Sequence, residues 1–175
     1  MDGTDKVDTG TQYVDDQDIS TQTETNSPII SYDLEMQLGI LCNRLLHGSY
    51  WFLILEMMFT NKLELRGLAR CAKQRENVCR ESASSIMSWL MKNMATVRMA
   101  DIAKPDYGME KDFTAEYAVR TMVSLDTWLE QGVREVVEKV TGQDMEGLEE
   151  LLKGMLVKHR DLQFETQAMK NKVFM

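Results

Sequence analysis

The chain has 175 residues, 43% of them hydrophobic and only two of them proline, which fits one domain with a packed, mostly helical body. Its formal charge is −8, and residues 1–27 hold −6 of that, because Asp2, Asp5, Asp8, Asp15, Asp16, Asp18 and Glu24 stand against Lys6 alone. With no basic field to release counter-ions from phosphate, the balance argues against a nucleic-acid partner.

Residues 1–30 are rich in Asp, Thr, Gln and Ser, and nearly free of aliphatic side chains. Such a segment cannot bury enough apolar surface to offset its ordering entropy, so it is expected to be a disordered acidic tail. Its polarity matches neither a signal peptide nor a transit peptide. The remaining residues, 31–175, are expected to form one all-α bundle.

The first helix is expected from Asp33 to Thr60, with Asp33 as N-cap and Glu35 facing the dipole in the first turn. Leu34, Leu38, Leu41, Leu45, Phe52, Leu53 and Leu55 recur at helical spacing as its core side. Gly39 and Gly48 interrupt the pattern and imply that a neighbouring element approaches closely there. The stretch Leu45 to Phe59 carries His47, Ser49, Tyr50 and Glu56, which makes it too short and too polar for a membrane span. A short link, Thr60-Asn61-Lys62, predicts an antiparallel return.

The second helix is expected from Leu65 to Asn93, with Leu68, Ala72, Ala83, Ile86 and Leu90 inward. Arg66, Arg70, Lys73, Arg75 and Arg80, interleaved with Glu76 and Glu81, read as a solvated face. Residues 94–111 make the longest connection. A third helix from Phe113 to Thr141 follows, with Ala118, Met122, Leu125, Leu129, Val133, Val136 and Val137 inward. Gly142-Gln143 ends it, and Asp144 is placed to cap a fourth helix carrying Leu148, Leu151, Leu152, Met155, Leu156 and Leu162. Short, long and short connections describe a four-helix bundle with one long crossover.

Cys42, Cys71 and Cys79 are odd in number and lie within apolar patterns, so they are expected to be reduced, buried thiols of a cytoplasmic protein. The 14 methionines read as core filler.

Three segments carry a family resemblance: Leu46-His47-Gly48-Ser49-Tyr50, Arg80-Glu81-Ser82-Ala83, and Asp101-Ile102-Ala103-Lys104-Pro105-Asp106. Together they resemble ferritins over about residues 33–172. The resemblance implies a ferritin-like fold, iron as cargo, and a homo-oligomer or a hetero-oligomer with other ferritin subunits. It also implies where a two-iron oxidase centre would lie. The first-helix Glu of that centre falls on Leu45 and its neighbouring Tyr on Phe52. The bridging Glu falls on Val78, the adjoining Glu on Cys79, and the His on Ser82. The third-helix Glu falls near Asp126, and the fourth-helix Gln falls near His159 or Arg160. One carboxylate and one imidazole cannot hold two irons, which need several hard oxygen ligands. The centre is therefore expected to be inactive, with Leu45, Phe52 and Val78 filling its space, and the chain is expected not to be an enzyme. Asp126 and His159 remain as the remnants that could bind metal. An ion pair of Asp126 with Arg160 or His159 is the favoured use of that carboxylate.

The tail supplies a second candidate. Thr9-Gly10-Thr11-Gln12-Tyr13 and Ile19-Ser20-Thr21-Gln22-Thr23 resemble the Thr-Gln-Thr anchor bound by dynein light chain, which adds an extended peptide as an edge strand. Thr11, Gln12, Thr21, Gln22 and Thr23 would carry that contact.

Overall fold

A computed structural model describes residues 30–102, 114–143, 145 and 147–173, with side chains to residue 171. Among the described residues there are four α-helices and no strand: α1 (Tyr32–Asn61), α2 (Arg66–Lys92), α3 (Ala115–Val140) and α4 (Leu148–Val173).

Local chemistry sets the helix ends. Ser31, rather than Asp33, caps α1: its hydroxyl oxygen accepts from the Leu34 amide at 3.3 Å, so the helix starts one residue before the expected point. Thr114 does the same for α3, accepting from Tyr117 N at 3.1 Å. Gly142 ends α3 with a φ of +82°, a conformation that costs glycine little. The expected cap Asp144 lies outside the described residues, as do Ala103 to Asp106 of the connecting segment and the whole of 1–29.

Each helix contributes one stripe to a common core. Leu38, Leu41, Leu45, Phe52, Leu55 and Phe59 of α1 meet Ala72, Cys79, Ala83, Ile86 and Leu90 of α2, and Met122, Leu129, Val133 and Val140 of α3 with Leu148 and Leu152 of α4. Burying one such Leu or Phe stabilises the fold by about 1.5–3 kcal/mol. Of the residues expected inside, Leu53, Leu68, Leu125, Leu151 and Leu156 are only partly buried.

Contacting side chains fix the directions. Cys42 reaches Ala83 while Glu56 reaches Lys73, so α1 and α2 are antiparallel. Arg44 pairs with Glu135 while Trp51 shares a cleft with Tyr117, so α1 and α3 are antiparallel too. Thr127 meets Gln163 and Glu130 meets Arg160, which sets α4 against α3.

Both interior glycines of α1 mark close approaches. A Cβ on Gly48 would lie 2.9 Å from Leu129 Cδ1, and one on Gly39 would collide with the Arg98 carbonyl. The segment after α2 is thus pressed onto α1, where Glu35 accepts from Thr96 N at 3.1 Å and from Arg98 Nε at 3.3 Å. The Arg98 guanidinium stacks 4.7 Å from the Tyr32 ring.

By length and composition α1 is apolar enough to cross a membrane, although Leu45 to Phe59 alone was expected to be too short; half of its most apolar window is buried in the bundle.

Candidate functional site

The centre of the bundle is held by a charge pair. Arg75 on α2 and Asp126 on α3 are almost fully buried, and Arg75 Nε donates to Asp126 Oδ2 at 3.0 Å. This overturns two expectations. Arg75 and its neighbour Glu76 do not belong to the solvated face of α2, since both are fully enclosed. Nor is the partner of Asp126 Arg160 or His159. Arg160 reaches Glu130 instead, at 3.7 Å.

Four of the five N–H groups of Arg75 have partners. Nη1 donates to the Cys71 carbonyl at 3.0 Å, and Nη2 donates to the Leu162 carbonyl at 2.6 Å and to Thr166 Oγ1 at 2.5 Å. The Thr166 hydroxyl in turn donates to Asp126 Oδ2 at 2.5 Å. One guanidinium therefore ties α2, α3 and α4 together. Burial holds the Asp126 carboxyl above its usual range, and the Arg75 charge and the Thr166 hydroxyl offset only part of that rise. Glu76 is satisfied locally, by Lys73 at 2.6 Å and by Arg80.

The remaining positions surround this pair without adding ligands. Leu45 and Phe52 are fully buried hydrocarbon. Of the adjoining pair on α2, Cys79 is the inward residue and Val78 is partly exposed, so Cys79 rather than Val78 takes the central place. Burial raises the Cys79 thiol far above its ordinary range, and Asp126 raises it further, which keeps it a neutral thiol. Ser82 borders a groove of about 770 Å³ between α2 and α4, lined also by Arg80, Glu81, Ser85, Gly154 and Lys158. That groove lies away from the charge pair.

His159 is buried, and its Nε2 has no hydrogen-bond partner. Its charged neighbours are Glu130 and Lys158, not Asp126, and burial lowers its pKa to about 4, so the ring is neutral. The two remnants, Asp126 and His159, are thus used by different neighbours.

The donor set does not fit two irons. Of the buried carboxylates, Asp126 is already bonded to Arg75 and Thr166, so a permanent positive charge occupies the oxygen that a metal ion would need, and Glu76 is held by Lys73 and Arg80. Among the described residues no three His, Cys, Asp or Glu side chains gather into a metal-holding group. The Thr-Gln positions, Thr11, Gln12, Thr21, Gln22 and Thr23, lie outside the described residues.

Sequence register could have found Arg75. Ala72, Cys79 and Ala83 define the buried side of α2, and positions 75 and 76 fall on it. Thr166 carried no signal of its own, being a hydroxyl on a helix without a local partner pattern. No family model matches the chain, and no curated protein matches it closely enough to count as a relative.

Proposed function

We propose that the chain is a ferritin-like helical subunit without ferroxidase activity, which works by assembling with copies of itself or with other ferritin subunits and contributes to an iron-storage shell through that assembly. The ferritin-like arrangement with one long crossover is part of this reading. Its support is directional: α2 and α3 are each antiparallel to α1, so a connection between them has to join opposite ends of the bundle. The observation that supports the functional reading is the Arg75–Asp126 pair, because a carboxylate held by a fixed cation is not free to bind an exchangeable one.

The test is oxygen consumption after mixing the purified full chain with ferrous salt. Uptake should match the protein-free rate, and Asp126→Ala should leave it unchanged. Rapid uptake, or a tight stoichiometric ferrous site lost in Asp126→Ala, would overturn the proposal. Co-expression with a standard ferritin then tests the mixed shell, by whether the two chains purify in one particle.

A second reading makes the bundle a dimeric platform for a tail that binds dynein light chain through Thr11-Gln12 and Thr21-Gln22-Thr23. The exposed apolar residues Ile40, Tyr50 and Met57 on α1 favour it, because they leave a helix face for a partner. Light scattering on a sizing column separates the readings: a particle of many subunits supports the first and a dimer the second.

A further inference from the structure

Two arginines of α2 stand apart from the rest. Among the described residues every other arginine reaches a carboxylate, from Arg44 on Glu135 at 3.5 Å to Arg160 on Glu130 at 3.7 Å. Arg66 and Arg70 are both exposed, and among the described residues neither guanidinium has an ion-pair or hydrogen-bond partner. They lie four residues apart, with Lys73 three further on, so all three share one face of the helix. Like charges at that spacing work against helix formation. Arg66 is also the first residue of α2, where the helix dipole favours a negative group, and the first turn carries no acidic side chain.

The two arginines border one cavity. It measures about 500 Å³, opens between the last turns of α1 and the first turns of α2, and is lined by Glu56, Thr60, Arg66, Ala69, Arg70 and Lys73. Glu56 is the carboxylate of that lining, and it lies 3.6 Å from Lys73 Nζ. Lys73 is held from the other side by Glu76 at 2.6 Å. Lysine and glutamate therefore answer each other, and the charge left facing the opening is that of the two guanidiniums. Thr60 adds a hydroxyl to the rim, and buried Ala69 gives the floor an apolar surface.

A guanidinium offers its N–H donors in a flat fork that matches a phosphate group through two parallel hydrogen bonds. A phosphate monoester carries about two negative charges at neutral pH, one for each fork. A single carboxylate would leave one arginine unanswered. The cavity also lies within the range of about 300–1,000 Å³ usual for small-molecule sites, so it has room for a phosphate group and for what the group is attached to. We propose that Arg66 and Arg70, with Thr60 beside them, bind a phosphate dianion, either free or as the end of a small organic phosphate. The site is independent of how copies of the chain assemble.

Isothermal titration calorimetry of the full chain, in a phosphate-free buffer of low ionic strength, tests this with inorganic phosphate and glucose 6-phosphate as probes. One site per chain is expected. Arg66→Gln and Arg70→Gln should each weaken binding about tenfold or more, and Arg70→Lys, which keeps the charge but loses the fork, should weaken it less. Neither arginine holds a partner, so both Gln variants should keep the wild-type thermal midpoint, which separates lost binding from lost folding. Arg120→Gln, which removes an exposed arginine paired with Glu116 on α3, should leave affinity unchanged. Tighter binding of glucose 6-phosphate assigns the cavity to an ester, and equal binding assigns it to the free ion. Wild-type chain that binds neither probe at millimolar concentration overturns the proposal, as does binding that both Gln variants retain or that Arg120→Gln weakens equally. Binding that emerges only after Asp15, Asp16 and Asp18 are all changed to Asn overturns it too, and gives the two arginines to the chain's own acidic segment.

Discussion

Arg75 and Asp126, 51 residues apart in the chain, meet at 3.0 Å with both side chains out of reach of water. A buried pair of this kind contributes little net stability, because desolvation offsets most of the attraction, but it is costly to break from one side. Arg75→Leu or Asp126→Leu alone should each lose about 3–5 kcal/mol of unfolding free energy, and the double substitution should lose much less than their sum. Urea denaturation of the four proteins closes the cycle. Additive losses would show that the two groups do not depend on each other.

His159 sets a pH dependence whose sign follows from its burial. Its folded pKa of about 4 lies below the ordinary 6.5, so between these values the unfolded chain holds more protons than the folded one. Its contribution is complete above the unfolded pKa and is lost as the pH falls from about 6.5 toward 4. Between pH 7.5 and pH 5 the loss should be about 2 kcal/mol. His159→Leu should flatten that slope in denaturant midpoints measured across the range, and a slope unchanged in the variant would assign the effect elsewhere.

The glycines divide into two kinds. Gly154 on α4 has open space where a Cβ would be, so Gly154→Ala should raise stability by up to about 1 kcal/mol through helix propensity. Gly48→Ala should lower it by about 1–3 kcal/mol, because the new methyl would press on Leu129. Gly39→Ala faces a backbone carbonyl, which yields less readily than a side chain, and should be worse than Gly48→Ala. Thermal midpoints of the three variants decide this, and a stabilising Gly39→Ala would contradict the packing of Arg98 on α1.

Thiol accessibility should also be unequal. Burial pushes the Cys42 thiol up to about 12 and Cys79 higher still, whereas Cys71 is only half buried, 3.7 Å from the Met169 sulfur. An aromatic disulfide reagent should titrate one thiol quickly in the native chain and three in guanidinium. Three fast thiols without denaturant would mean that the core around α2 opens easily.

The helices were legible because their periodicity is strong: the described ends of α1, α2 and α3 fall within two residues of the expected ones, while α4 starts three residues after the point that a cap at Asp144 set. Ser31 was missed as a cap because Asp33 is an equally good capping type two positions later, and only geometry separates them. The central pair was not legible in the same way. Charge alone placed Arg75 on the surface, although the register set by Ala72 and Cys79 put it inside. The same register distinguishes Cys79 from Val78, a one-residue difference that rotates a side chain by about 100° around the helix. The partnership of Arg75 with Asp126 and Thr166 left no local trace, since it depends on how three helices dock.

A counter-ion that belongs to the polypeptide is never released. Because the positive charge answering Asp126 is peptide-linked through Arg75, chelators, dilution and shifts in redox poise have no means of withdrawing it. The interior of this bundle is therefore balanced from the moment the helices close, whatever the ionic supply of its surroundings.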